Sequence, residues 1–156
     1  MIILGVDPGT ATTGYGIVKK TKNLECVCYG LIQTDASSTP AQRLKKLNNE
    51  LAKLIKKHQP EVLAIENLYF FKNLKTAMPV SQAKGVIILT AAKKNLPVHE
   101  FTPPQVKMAV SGYGNAEKKQ VQKMVKIILG LKKEPRPDDA ADALAVAICC
   151  AHWLGS

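Results

Sequence analysis

"MIILGVDPGTATTGYGIVKKTKNLECVCYGLIQT", Met1 to Thr34, is the stretch whose reading decides the fold. "MIILGVD" is short, apolar and rich in β-branched residues, and it ends in an acid, which is the pattern of a central strand. "PGTATTG" is a turn-rich break. "YGIVKK" and "LECVCYGLIQT" read as two further strands joined through the hairpin-like "KKTKN". No helix fits between the three, so they are expected to form an antiparallel meander.

Outward from this stretch the periodicity changes. Ser38 or Thr39 can cap a helix with Pro40 in its first turn, and Leu44, Leu47, Leu51, Leu54 and Ile55 recur at helical spacing. "VLAIEN" is a second buried strand that ends in an acid, Glu66. After the loop "LYFFKNLKT", Pro79 marks the expected first turn of a helix whose apolar stripe is Ala83, Val86, Ile87, Thr90 and Ala91. "PVHEF" reads as a short strand and "PPQVKMAVSG" as a short helix. "AEKKQVQKMVKIILG" reads as a helix with Val121, Met124, Val125 and Ile128 on one face, and a last helix starts near Asp138. Three strands, one helix, then alternating strands and helices predict a single α/β domain over residues 1–156 with a mixed sheet flanked by helices.

The chain carries 22 basic and 12 acidic residues, a formal charge of +10. Between Asn67 and Lys133 stand 12 lysines and only two acids, Glu100 and Glu117. Such a surface suits a polyanion. A membrane-surface helix wants bulky aromatics beside its lysines, and aromatics are only 5% here, so nucleic acid is the better partner. No apolar run approaches the roughly 18 residues that span a bilayer. The first residues lack a basic n-region, and the expected compartment is the cytoplasm. Cys26 and Cys28 are expected to share one strand face and Cys149 and Cys150 to point apart on a helix, all four as buried free thiols. His58, His99 and His152 are too scattered to form a ligand set.

Acids are scarce, yet three fall within five positions, Asp138, Asp139 and Asp142, at the head of the apolar segment "AADALAVAICCAHW". If the strands ending in Asp7 and Glu66 are parallel neighbours, both carboxylates emerge at one edge of the sheet. Asp139 and Asp142, three apart, share one helix face. Four carboxylates converging at the margin of a core repel one another, and each loses hydration. A hard divalent cation relieves both penalties, and oxygen-only ligation suits Mg²⁺ or Mn²⁺. In a basic protein such a pair of ions is apparatus for phosphodiester hydrolysis. Each acid also has a plain structural reading. Asp138 fits an N-cap, worth about 1 kcal/mol; Asp7 fits a turn residue and Glu66 a strand-end charge.

"ILGVDPGTATTGYG", "LAIENLYFFKN", "QAKGVIIL", "GNAEKKQVQKMV" and "DDAADALAVAI" resemble, in order and spacing, the RuvC-type crossover junction endodeoxyribonucleases, the bacterial Holliday-junction resolvases. The resemblance runs from Met1 to about His152. It implies a ribonuclease H-like fold with a five-stranded mixed sheet, a homodimer, and Mg²⁺-dependent paired nicking of four-way DNA, with two ions in each site and Mn²⁺ as a substitute. It further implies Asp7, Glu66, Asp139 and Asp142 as the catalytic, metal-holding acids, Lys107 and Lys118 as basic residues near the scissile strand, and Tyr69 as an aromatic that stacks on unpaired bases. The family's dimer seam maps to 78–93, and branch-migration motor proteins are implied partners. Many members continue with a basic tail, so junction affinity here is expected to lean on the lysines between Lys72 and Lys133.

Two other classes are open to parts of this pattern. "GVDPGT" with "TGYG" is similar to the first phosphate loop of sugar kinases and chaperone ATPases, but those need a second domain that 156 residues do not provide. A non-catalytic junction- or DNA-binding module would explain the charge. It would gain nothing from four converging carboxylates, which repel phosphate.

Overall fold

The computed structural model describes residues 1–9, 11–67 and 74–155. Among these, β1 (Ile2–Asp7), β2 (Thr12–Lys20), β3 (Leu24–Gln33), β4 (Val62–Glu66) and β5 (Val98–Phe101) form one sheet in the order β3-β2-β1-β4-β5. β1, β2 and β3 make the expected antiparallel meander. β4 lies parallel to β1 with Val6 opposite Ile65, so Asp7 and Glu66 leave the sheet side by side at the same edge.

Helices cover both faces. α1 (Pro40–His58) and α2 (Leu74–Lys93) pack on one face over Leu4, Val6, Ile17, Leu63 and Ile65. α3 (Pro103–Ser111), α4 (Lys118–Ile128) and α5 (Asp138–Trp153) cover the other, over Ile3, Val18, Val62 and Ala64. Thr39 caps α1: its hydroxyl accepts from the Gln42 backbone while the Gln42 side chain accepts from the Thr39 backbone. Thr102 and Gln105 repeat that arrangement at α3.

α5 is the central element. From Ala140 to Ala151 every residue but Asp142 is buried, and the helix lies directly on β1 and β2. Small residues allow this. A Cβ on Gly5 would collide with the Ala143 carbonyl oxygen, and one on Gly14 with the carbonyl of Asp139. Any side chain at either position would lift the N-terminal half of α5 off the sheet.

Four local expectations are corrected. β2 begins at Thr12 rather than Tyr15, because the threonines extend the ladder until Asp7 faces Gly14. Pro79 lies inside α2, not in its first turn; the described part of the helix already runs from Leu74, and it accommodates a residue with no N–H to give. Cys26 and Cys28 do not share a face. The β2–β3 register shifts between Ile17 and Val18, pairing Ile17 with Cys28 and Val18 with Cys26 and leaving Val27 as the extra residue of a bulge. Cys26 therefore packs under α5's side of the sheet and Cys28 under α1's. Finally, Asp138 is the first residue inside α5; Pro137 holds the N-cap position, with no side-chain cap.

The seating of α5 can be measured. Gly5→Ala should lower the urea midpoint at unchanged slope, at a cost of about 2–3 kcal/mol from overpacking against helix backbone. A loss below about 0.5 kcal/mol would mean that α5 shifts freely and that the glycine does not set its height.

Candidate active site

Asp7 is the last residue of β1, before the Pro8–Gly9 break, and its carboxyl points toward the N-terminal turn of α5. Asp139 and Asp142 are one helical turn apart on the face of α5 that meets this edge. One carboxylate oxygen from each of Asp7, Asp139 and Asp142 lies within 4.8 Å of the other two. The crowding follows from the height of α5 above Gly14, which carries Asp139 down onto the strand ends.

Electrostatics reflect the crowding. Burial, reinforced by Glu66, Asp142 and Asp139, raises the Asp7 carboxyl from 3.8 to about 8. Burial and then Asp142 raise Glu66 to about 7, against the lowering pull of Lys107 and Lys118. Asp142 is raised too, chiefly by burial, although Lys118 holds it back. These carboxyls are disfavoured as anions, and either a bound proton or a cation among them removes the penalty.

A cation already stands at the edge of the group. Lys118, the first residue of α4, places its ammonium 3.2 Å from Asp142 and 3.6 Å from Asp138. Burial opposes its charge, but the two aspartates outweigh that and hold its pKa above the ordinary value. An oxygen-only donor set with one ammonium drawn to its rim is chemistry that fits a hard divalent ion.

Glu66 is the member that the structure sets apart. It lies beside Asp7 at the sheet edge but outside the tight group of three. It lines an adjoining cavity of about 210 Å³ together with Lys107, Lys118, Val106 and Asp142. Both expected lysines thus reach the site: Lys107 from α3 on the Glu66 side, and Lys118 from α4 on the Asp142 side. Tyr69 lies outside the described residues.

Two residues escaped the sequence reading. Thr12 donates its hydroxyl to Asp139 Oδ2 at 2.8 Å, which fixes that carboxylate from the opposite strand. Its signal, a threonine in a turn-rich run, is indistinguishable from a loop residue until β2 is known to start there. Gln122 is buried in α4, and its Nε2 donates to Asp138 Oδ1 at 3.0 Å. Asp138 consequently ties α4 to the start of α5 instead of capping its own helix.

The family model for the crossover junction endodeoxyribonuclease RuvC matches residues 3–150. The crossover junction endodeoxyribonuclease RuvC of Pelotomaculum thermopropionicum is 56% identical over 156 residues, covering 97% of this chain and 93% of its own length. The structure of Thermus thermophilus RuvC superposes with a TM-score of 0.92 at 31% identity, covering 99% of this chain and 96% of that one. The same organism's RuvC in complex with a Holliday junction substrate gives a TM-score of 0.91 at 29% identity, with the same coverage. The five-stranded mixed sheet flanked by helices is the ribonuclease H-like fold of these proteins. A match that holds from the first strand to the last helix at this level of identity leaves one conclusion: the chain belongs to the RuvC family of crossover junction endodeoxyribonucleases.

Proposed function

We propose that the chain resolves Holliday junctions by metal-dependent, paired symmetric nicking of four-way DNA, leaving 5′-phosphate and 3′-hydroxyl ends. The convergence of Asp7, Asp139 and Asp142 on one point, with Asp7 raised to about 8, carries this reading. A module that only bound DNA would be harmed by it, because such a group repels phosphate and destabilises the fold.

In this reading Asp7, Asp139 and Asp142, with Glu66 across the adjoining cavity from Lys107 and Lys118, would hold two Mg²⁺ ions, with Mn²⁺ able to substitute. Such ions would supply acidification of the attacking water and neutralisation of charge on the phosphodiester oxygens. The chain's own groups do the positioning. Lys107 and Lys118 attract the scissile phosphate, and Lys118 becomes available for it once Asp142 has another cation as partner. Thr12 keeps Asp139 in a single orientation, the outer-shell support that a ligating carboxylate needs. Water's oxygen bonds to phosphorus as the P–O3′ bond breaks, and the proton ends on the 3′ oxygen.

Paired nicking requires two such sites, and α2 offers the surface for a homodimer. Met78, Gly85 and Leu89 are exposed along one side of it, with Met78 69% and Leu89 53% accessible. A two-fold dimer through this seam matches the symmetry of the junction. Tyr69 belongs in this reading as the residue that stacks on unpaired bases at the crossover. Branch-migration motors are proposed partners and the cytoplasm the proposed compartment; no described helix is long and apolar enough to cross a membrane.

The deciding assay incubates a four-way junction and a linear duplex of the same sequence with the protein, in Mg²⁺ or in EDTA. Symmetric nicks confined to the junction and to Mg²⁺ are expected, and Asp7→Asn should abolish them while leaving junction binding intact. Metal-independent binding without nicks would favour the binding module.

The raised carboxyls give a pH signature. Asp7 and Glu66 bind protons in the folded state up to about 8 and about 7, but release them near 4 when unfolded. Metal-free protein should therefore lose stability as pH rises from about 4 to 8 and level off above that. Mg²⁺ should restore the melting temperature at pH 8 and do little at pH 5; a flat metal-free profile would contradict the crowding. Thr12→Val should raise the Mg²⁺ concentration needed for half-maximal stabilisation by roughly tenfold. Recovery of the wild-type value in Thr12→Ser would assign the effect to the hydroxyl.

A further inference from the structure

The connection between α4 and α5 carries a second concentration of positive charge that the proposed chemistry does not use. An open hollow on the α5 side of edge strand β3 is lined by Tyr29, Lys126, Lys132, Lys133, Glu134 and Arg136. Lys132, Lys133 and Arg136 are exposed, and Tyr29 is 36% accessible. Among the described residues none of these four cations pairs with a carboxylate, whereas Lys53 and Lys84 have Glu50 and Glu100. The four cations face one acid, Glu134, in this open hollow, and a polyanion there would relieve the repulsion that Glu134 leaves.

The cluster is held in place rather than trailing in solvent. Leu129 and Pro135 are buried, and Leu131 packs against the core beneath α5, so the backbone bearing Lys132, Lys133 and Arg136 is anchored at both ends. Its position follows from chain geometry. Arg136 precedes Asp139 by three residues, which cannot span more than about 11 Å. Lys126 lies eight residues along α4 from Lys118, about 12 Å. Along a DNA strand, with one phosphate per about 3.4 Å of helix axis, the hollow begins within about three phosphates of the acids.

We propose that this hollow binds the phosphate backbone of a duplex arm of the junction as it leaves the active site, an inference that rests on the nuclease reading above. Its contacts are independent of sequence: lysine and arginine charge neutralises consecutive phosphates, and the Tyr29 hydroxyl donates to a phosphate oxygen. Glu134 is the one charge in the hollow that opposes binding.

The test compares wild type, the double variant Lys132→Gln/Lys133→Gln, and Glu134→Gln, measuring junction affinity across salt concentrations and nicking in Mg²⁺ at saturating junction. The double variant should bind roughly tenfold more weakly, with its log affinity against log salt slope shallower by about 2. Its nicking rate at saturation should be unchanged. Glu134→Gln should shift affinity the opposite way, a gain that misfolding cannot imitate. Unchanged affinity and slope in the double variant, or weaker binding in Glu134→Gln, would overturn the proposal. Wild-type nicking in the same preparations checks the nuclease reading separately: if wild type nicks and the variants bind alike, only the hollow's role fails.

Discussion

Everything at the candidate site depends on how closely α5 approaches the sheet. The helix rests on Gly5 and Gly14, where even a methyl group would strike its backbone. That contact is steric, short-ranged and unforgiving, so it fixes the height of Asp139 and Asp142 above the end of β1. Three carboxylates are held within a few ångströms because the packing beneath them leaves no alternative, not because they attract one another. The core supplies the force. A nearly all-buried helix on a β-branched sheet face stabilises the fold by far more than the repulsion at its tip costs.

The site is therefore a place where stability is traded for chemistry. Burial and mutual repulsion push Asp7 to about 8 and Glu66 to about 7, and Lys118 is drawn to the rim as partial compensation. Polar support surrounds the crowded acids: Thr12 on Asp139, and Gln122 on Asp138. The strands bring in Asp7 and Glu66, α5 brings Asp139 and Asp142, and α3 and α4 bring Lys107 and Lys118. Five elements remote in sequence meet at one sheet edge because parallel β1 and β4 end there together.

Charge outside the site is organised in the same way. Lysines paired with acids, such as Lys84 with Glu100, join elements of the fold. Among the described residues, those on the α4–α5 connection pair with no carboxylate, and they line a hollow close to the reactive edge. The net charge of +10 is thus not a uniform coat. One part of it lines the hollow between α4 and α5.

The sequence by itself determined the strand meander, the helices with regular apolar spacing, and the four acids, because each is written in local periodicity or in a scarce residue type at an element's end. It could not show the bulge that parts Cys26 from Cys28, since a one-residue register shift depends on the partner strand. It placed Pro79 at a helix start, following the residue's usual preference, whereas Pro79 lies inside α2, which runs on from Leu74. It read Asp138 as a cap, whereas a buried glutamine on another helix gives that side chain its role. Thr12 was silent for the same reason: its partner lies 127 positions away. Only the tertiary structure decided that three acids form the tight group while Glu66 stands beside it, because distances between elements are set by packing, and packing is not local.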